Sequence, residues 1–225
     1  MLDLIMLENN IITSLKDRLS AIPTIDFKRY FEDIAKLLMN NCVITKCGIN
    51  YEIVEVEFYL FTPDHQDVIT YPRKLSAGQW FFHQSGVDLT FESNTEQFGG
   101  ILIRGLRNID TGQLTLGPQK CVNLLWDKSD AFKIHENEYP TIIVAPRKFH
   151  ENIQNYPRWI PVGDKDRPMK LEYWTERVKK EGYEVCTTTD KTDIVFTSPY
   201  RFIKFDLING IPKGWSGYSA KPRVE

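Results

Sequence analysis

Glu57 stands in the middle of an alternating segment, Ile53-Val54-Glu55-Val56-Glu57-Phe58-Tyr59-Leu60. At a period of two, Val54, Val56, Phe58 and Leu60 fall on one face of a strand, and Ile53, Glu55, Glu57 and Tyr59 on the other. Glu is disfavoured inside strands unless an exposed face or a site requires it. Two carboxylates beside a phenol can do acid/base work on a bound water, and a solvated strand face is the plainer explanation of the same pattern. The loop that follows, Thr62-Pro63-Asp64-His65-Gln66-Asp67, adds a histidine and two aspartates. Glu57, Asp64, His65 and Asp67 are therefore also a candidate ligand set for a hard divalent ion in a metal-dependent hydrolase, although the same residue types build turns and caps. Farther along, Gly99-Gly100-Ile101-Leu102-Ile103-Arg104-Gly105-Leu106 is a glycine turn feeding a strand, with Arg104 alternating out of the Ile101/Ile103 face. On Glu57's face, Arg104 would hold that carboxylate ionised and help to orient a water between them. The aromatic run Trp80-Phe81-Phe82 suits a core or a pocket for a flat ligand, and Phe82 is the candidate contact.

The elements that must position these residues are readable in outline. From Asp26, a suitable N-cap, Phe27, Tyr30, Phe31, Ile34, Leu37 and Leu38 recur at helical spacing. The start of the chain is apolar at helical intervals without a basic leader or a cleavage site, which predicts an amphipathic helix and not a signal segment. A strand is expected over 49–61, with others at 87–91, 101–106, 141–145, 193–197 and 200–207, separated by Gly, Pro, Asn and Asp. Helices are expected from Gln119 to Trp126, after Gly117-Pro118, and from about Met169 to Glu181, ending at Gly182. The stretch from Asn152 to Pro168 reads as a long surface loop. Strands that arrive in clusters between few helices predict an α+β fold, a single domain over 1–225 with a mixed, largely antiparallel curved sheet flanked by helices. Residues 1–45 form its N-terminal helical segment and 208–225 its C-terminal tail.

A chain of 225 residues that is 42% hydrophobic can bury one core unaided. Cys42, Cys47, Cys121 and Cys186 show no CxxC spacing, so reduced thiols and a cytoplasmic location are expected. No stretch approaches the roughly 20 apolar residues of a membrane span. Residues 1–144 carry 13 Lys/Arg against 19 Asp/Glu, and 145–225 carry 15 against 11, so a polyanion is expected to dock on the C-terminal third. Arg147, Lys148, Arg201 and Lys204 are the candidate phosphate contacts. Lysines, arginines and aromatics also interleave in the tail from Ile211 to Arg223, as in a strand-binding segment or a frayed end.

Five collinear segments resemble the methylpurine-DNA glycosylase family: IVEVEFYL at 53–60, YPRK at 71–74, GGILIRGL at 99–106, LGPQKCVNLL at 116–125 and SPYRFIKFDL at 198–207. The resemblance covers residues 50–207 and implies a monomeric base-excision domain, without cofactor or metal, that flips a modified purine into a pocket. It implies that Glu57 is the general base for water attack on the sugar C1′. It further implies that Arg104 and a carbonyl just after Arg147 hold that water, and that Tyr59, His65 and Phe82 contact the base. Stacking of that kind is worth roughly 1–3 kcal/mol per base. Two positions depart from the family: Ser85 stands where it has a wedge tyrosine, and Glu92 near its base-discriminating asparagine. A serine cannot fill the gap left in a duplex, so single-stranded, looped or nucleoside substrates are expected to be favoured. The alternative on the same fold is a non-catalytic module that binds a base or a partner protein, with Glu57 paired away from solvent.

Overall fold

The structure, a computed structural model, describes residues 2–127, 139–145, 153–156, 158, 171–185 and 200–204. Helix α1 spans Leu2–Ser20 and α2 spans Phe27–Asn41. Asp26 begins α2 as expected: its carboxylate accepts from the Arg29 N–H at 3.3 Å, in a left-handed backbone conformation (φ 53°) that Asp tolerates. Phe31, Ile34, Ala35, Leu38 and Met39 form the buried stripe of α2, and Leu15 and Leu19 that of α1.

The chain then enters an antiparallel sheet. Its strands are β1 (Cys42–Lys46), β2 (Ile49–Thr62), β3 (His65–Gln66), β4 (Trp80–His83), β5 (Gly86–Thr90), β6 (Phe98–Asn108) and β7 (Leu114–Leu116). β8 (Thr141–Val144), β9 (Ile153–Tyr156) and β10 (Arg201–Lys204) follow, with α3 (Pro118–Leu125) and α4 (Leu171–Lys180) between them. The order is β4-β5-β6-β2-β1-β8, while β3 and β10 also pair with β2, β9 with β10 and β7 with β6. This is one α+β domain whose sheet is antiparallel at every pairing among the described residues. The main core lies between one face of β2, β5 and β6 and the helices α1, α2 and α3. No helix among the described residues is long and apolar enough to cross a membrane.

Several expectations are corrected. The N-terminal helical segment ends at Asn41, and β1 begins at Cys42. Within the stretch expected to be a loop, Ile153–Tyr156 is a strand on β10, register Arg201↔Tyr156. The expected strand at 193–197, Cys186 and the tail 208–225 lie outside the described residues.

The most consequential correction concerns β2. Its register against β6 runs Ile53↔Leu106, Glu55↔Gly105, Val56↔Ile103, so the pairing is irregular at Val54 and again at Arg104. Such a bulge places two successive residues on one face. Ile53 therefore joins Val56, Phe58 and Leu60 in the main core, and Val54 leaves for a small cluster with Ile203. Strict alternation assigns those two the other way round. By the same slip Glu52 comes to lie on the face that carries Glu55 and Glu57.

β2 and β6 pack too closely at one point for a side chain. A Cβ added to Gly99 would sit 2.5 Å from the Tyr59 carbonyl oxygen and 3.0 Å from Leu60 Cα. Both are backbone atoms of the central strand and cannot turn aside. Gly99→Ala is expected to destabilise the protein by about 1–3 kcal/mol, seen as a lower urea midpoint with an unchanged m-value.

Candidate functional site

The face of β2 turned away from the main core is a row of buried carboxylates with cations between them. Glu57 is fully buried, and its Oε2 accepts from Tyr59 Oη at 2.7 Å and from Arg104 Nη1 at 3.0 Å. Arg104 also donates through Nε to Glu55 Oε1 at 3.0 Å, and Arg201 Nε donates to the same oxygen at 2.7 Å. Glu52 is held by Arg107 and by Lys204. Arg104 lies on this face by alternation with Leu102, and the β6 irregularity adds Gly105 to the same face. Gly105 has no room for a side chain: its Cβ would come 2.9 Å from Glu55 Cβ. The three residues on which the resemblance rests most heavily, Glu57, Tyr59 and Arg104, are thus brought together on one face.

Tyr59 is fixed from two sides. The Arg158 guanidinium lies 4.6 Å from its ring centroid, and Arg158 is itself ion-paired with Asp67 and donates to the Phe58 carbonyl at 3.0 Å. Burial, then the negative charge of Glu57, push the Tyr59 phenol well above its ordinary range against the pull of Arg158 and Arg104. It remains a proton donor to Glu57 at all physiological pH values.

The other expected site residues lie elsewhere. His65, expected to contact a base, turns into the core: its ring centroid is 4.6 Å from that of Phe27, and Phe31 and Tyr200 also pack against it. The cause is the tight turn Thr62–His65, where Thr62 Oγ1 accepts from the His65 N–H at 2.9 Å and β3 folds back on β2. Nδ1 faces the Leu60 carbonyl at 2.8 Å, an oxygen that can only accept, so Nδ1 carries the proton and Nε2 accepts from Tyr200 Oη at 2.9 Å. Glu57, Asp64, His65 and Asp67 do not converge as a metal site. Asp64 is exposed, the other three point to separate partners, and no group of three such side chains comes together among the described residues. Arg201 and Lys204 are not surface contacts for a polyanion: β10 lies against β2, so both are buried against Glu55 and Glu52. Arg147 and Lys148 lie outside the described residues.

Phe82 is half exposed, with its ring edge-on to Trp126 4.6 Å away. Its neighbour is the one on the site face. The register runs Glu57↔Leu102, Leu102↔Asp88 and Asp88↔Phe81, so these four side chains share a face, and Phe82 points the other way. Neighbours along a strand take opposite faces, so the register alone decides which of the two rings lies beside Glu57's row.

Beside Phe81 lies a second polar group that sequence reasoning missed. Arg73 Nη1 bonds Asp88 at 2.7 Å, its guanidinium lies 4.0 Å from the Phe81 centroid, and His83 Nε2 bonds Asp88 at 3.0 Å. Burial alone would raise the Asp88 carboxyl, but Arg73 and His83 hold it below its ordinary value. Tyr71 stacks on His83 at 4.5 Å and is covered by Arg177, 4.4 Å from its centroid. Arg73 crosses over Gly100, where a Cβ would be 2.7 Å from its Nη1, and Gly100 is the direct partner of Tyr59. The segment YPRK at 71–74 carries both Tyr71 and Arg73 and is the sequence signal for this group. Ser85 occupies the exposed tip of the β4–β5 hairpin, and Tyr71 Oη comes within 3.5 Å of its hydroxyl. Tyr71, from another loop, thus reaches the hairpin tip with its hydroxyl, while its ring lies against His83 and Arg177. Glu92 is drawn off to cap the turn at Ala77, whose N–H it accepts at 2.9 Å.

Fold and site together define a one-domain α+β protein with an ionic network on one sheet face and an aromatic, arginine-rich cluster next to it. The chain is similar to an uncharacterized protein of Acanthamoeba polyphaga mimivirus, 30% identical over 132 residues, which cover 48% of this chain and 61% of that protein. No family model matches the chain. No solved structure matches it.

His65 gives the site's foundation a pH dependence. Burial lowers its pKa below the ordinary 6.5, outweighing the nearby Asp67. As pH falls through 6.5 the unfolded chain takes up a proton that the folded chain resists, so stability is complete above that value and is lost below it. The slope contributed is at most about 1.4 kcal/mol per pH unit. His65→Asn is expected to be less stable at pH 8 and to lose less on acidification to about pH 5.5, measured by denaturant unfolding across that range.

Proposed function

We propose that the chain is an N-glycosylase-like protein that binds a modified purine and releases it hydrolytically from nucleic acid, with Glu57 as the general base. One observation carries this reading: Tyr59 and Arg104 donate to the same oxygen of Glu57, each from a segment that resembles the glycosylase family. In the reaction, Glu57 takes a proton from a water as the water oxygen bonds C1′. The C1′–N bond breaks, and the purine departs with its electron pair. Arg104 and the Tyr59 hydroxyl fix the carboxylate, so the base is positioned before substrate arrives. The Tyr59 ring, with Arg158 against it, carries the hydroxyl bonded to that carboxylate and offers a flat surface beside it.

The expected preference for substrates outside an intact duplex stays with this reading, because the Tyr71 ring near Ser85 is stacked on His83 and covered by Arg177.

A second reading is favoured by the complete burial of Glu57 and its bonds to Tyr59 and Arg104. In that reading the network is structural and the fold is a non-catalytic module for a base or a partner protein. Base release separates the two. Single- and double-stranded oligonucleotides carrying ethenoadenine, hypoxanthine or an alkylpurine are incubated with the protein and with Glu57→Gln. Catalysis predicts release by the wild type and a loss of about 100- to 10,000-fold in the variant. No release by either, together with a lowered melting temperature for Glu57→Gln, selects the structural reading.

A further inference from the structure

The cluster around Tyr71 holds more donors than acceptors. Arg73 uses Nη1 on Asp88 and Nε on the Tyr71 carbonyl at 2.9 Å, which leaves its buried Nη2 without a partner. Arg177 donates through Nη2 to the Thr70 carbonyl at 2.8 Å, its guanidinium lying between the rings of Tyr71 and Trp174, and its buried Nε has no partner. The buried Thr70 hydroxyl is unpaired as well. The Asp88 carboxylate is shared by Arg73 and His83, while Arg177 is held by main-chain carbonyls and by the two rings. The cluster reaches solvent at Ser85, whose exposed hydroxyl lies beside Tyr71. It also adjoins the Glu57 face, because Arg73 lies over Gly100, the partner of Tyr59 one strand away, a spacing of about 4.8 Å.

Unpaired N–H and O–H donors beside a net positive charge call for an anion with several acceptor oxygens, and a phosphate matches arginine forks. We propose that this cluster binds a phosphate group of the substrate, so that the Glu57 site takes a nucleotide or a strand in preference to a free nucleoside. The inference rests on the glycosylase-like reading of Glu57 for what lies next to the phosphate. It assigns specific roles: Arg73 and Arg177 supply the charge, Tyr71 spaces them, and Ser85 is the hydroxyl at the entrance. The phosphate is either the terminal group of a mononucleotide or the diester of a strand.

Calorimetric titration of the full chain with inosine, inosine 5′-monophosphate and a short single strand containing hypoxanthine tests the proposal. The expected result is binding of at least one phosphate-bearing ligand about tenfold or more tighter than inosine. That advantage should be lost in Arg177→Gln and in Ser85→Asp, the latter an exposed turn position that leaves the core untouched. An advantage for the monophosphate identifies a terminal phosphate as sufficient, and an advantage for the strand alone identifies the diester. Equal binding of all three ligands, binding of none, or an advantage that survives both substitutions overturns the proposal. Assaying released base in the same samples keeps the two claims apart. Phosphate-dependent binding without base release removes the glycosylase reading and leaves the phosphate site standing. Equal release from inosine and from the phosphate-bearing ligands does the opposite.

Discussion

The interaction on which the rest of this structure depends is the set of ion pairs that neutralises Glu52, Glu55 and Glu57. All three carboxylates are buried on one strand. An uncompensated buried charge is costly, and removing one member of a buried pair typically destabilises by about 3–5 kcal/mol. The network therefore dictates which elements must be present around β2. β6 must bring Arg104 and Arg107, and β10 must bring Arg201 and Lys204. The irregularity at Val54 and Arg104 makes this possible, because it turns Glu52 and Arg107 to the side where the other charges lie.

A network of this kind serves stability and chemistry through the same bonds. Arg104 bridges Glu55 and Glu57, so the carboxylate at the centre of the candidate site cannot shift without disturbing its neighbour. Rigid placement of a general base is what hydrolysis needs, and it is what a structural ion network produces in any case. Geometry at Glu57 is thus consistent with two functions, and product formation is what tells them apart. The Arg73–Tyr71–Arg177 group brings Arg73 Nη2, Arg177 Nε and Thr70 Oγ1 together as buried polar atoms without a partner, and such groups call for an explanation.

Much of this was legible in the sequence where one rule operates at a time. The period of α2, the Asp26 cap, the central strand and the shared face of Glu57 and Tyr59 follow from local pattern, whereas Arg104 was placed beside them by the family resemblance. The face of Ile53 and Val54 was not legible, because a bulge depends on the facing strand and leaves no mark in the alternation of β2 itself. Phe81 and Phe82 illustrate the same limit, two like residues in succession whose faces are set by register against β5. His65 was misplaced for a different reason. Its chemistry suggested a site, but Thr62 closes a turn that sends the ring into an apolar cluster. Arg201 and Lys204 looked like free cations because their counter-charges lie some 150 residues earlier in the chain.

That separation bears on how the molecule is made. Arg201 pairs with Glu55 across 146 residues and Lys204 with Glu52 across 152. During synthesis from the N-terminus, β1, β2 and β6 can pair long before β10 leaves the ribosome, and through that interval Glu52 and Glu55 lack one of their two cations each. The nascent sheet must then keep that edge hydrated or leave it covered by another protein. Docking of β10 would be the step that dries it, which makes the final closure of the domain an electrostatic event as much as a hydrophobic one.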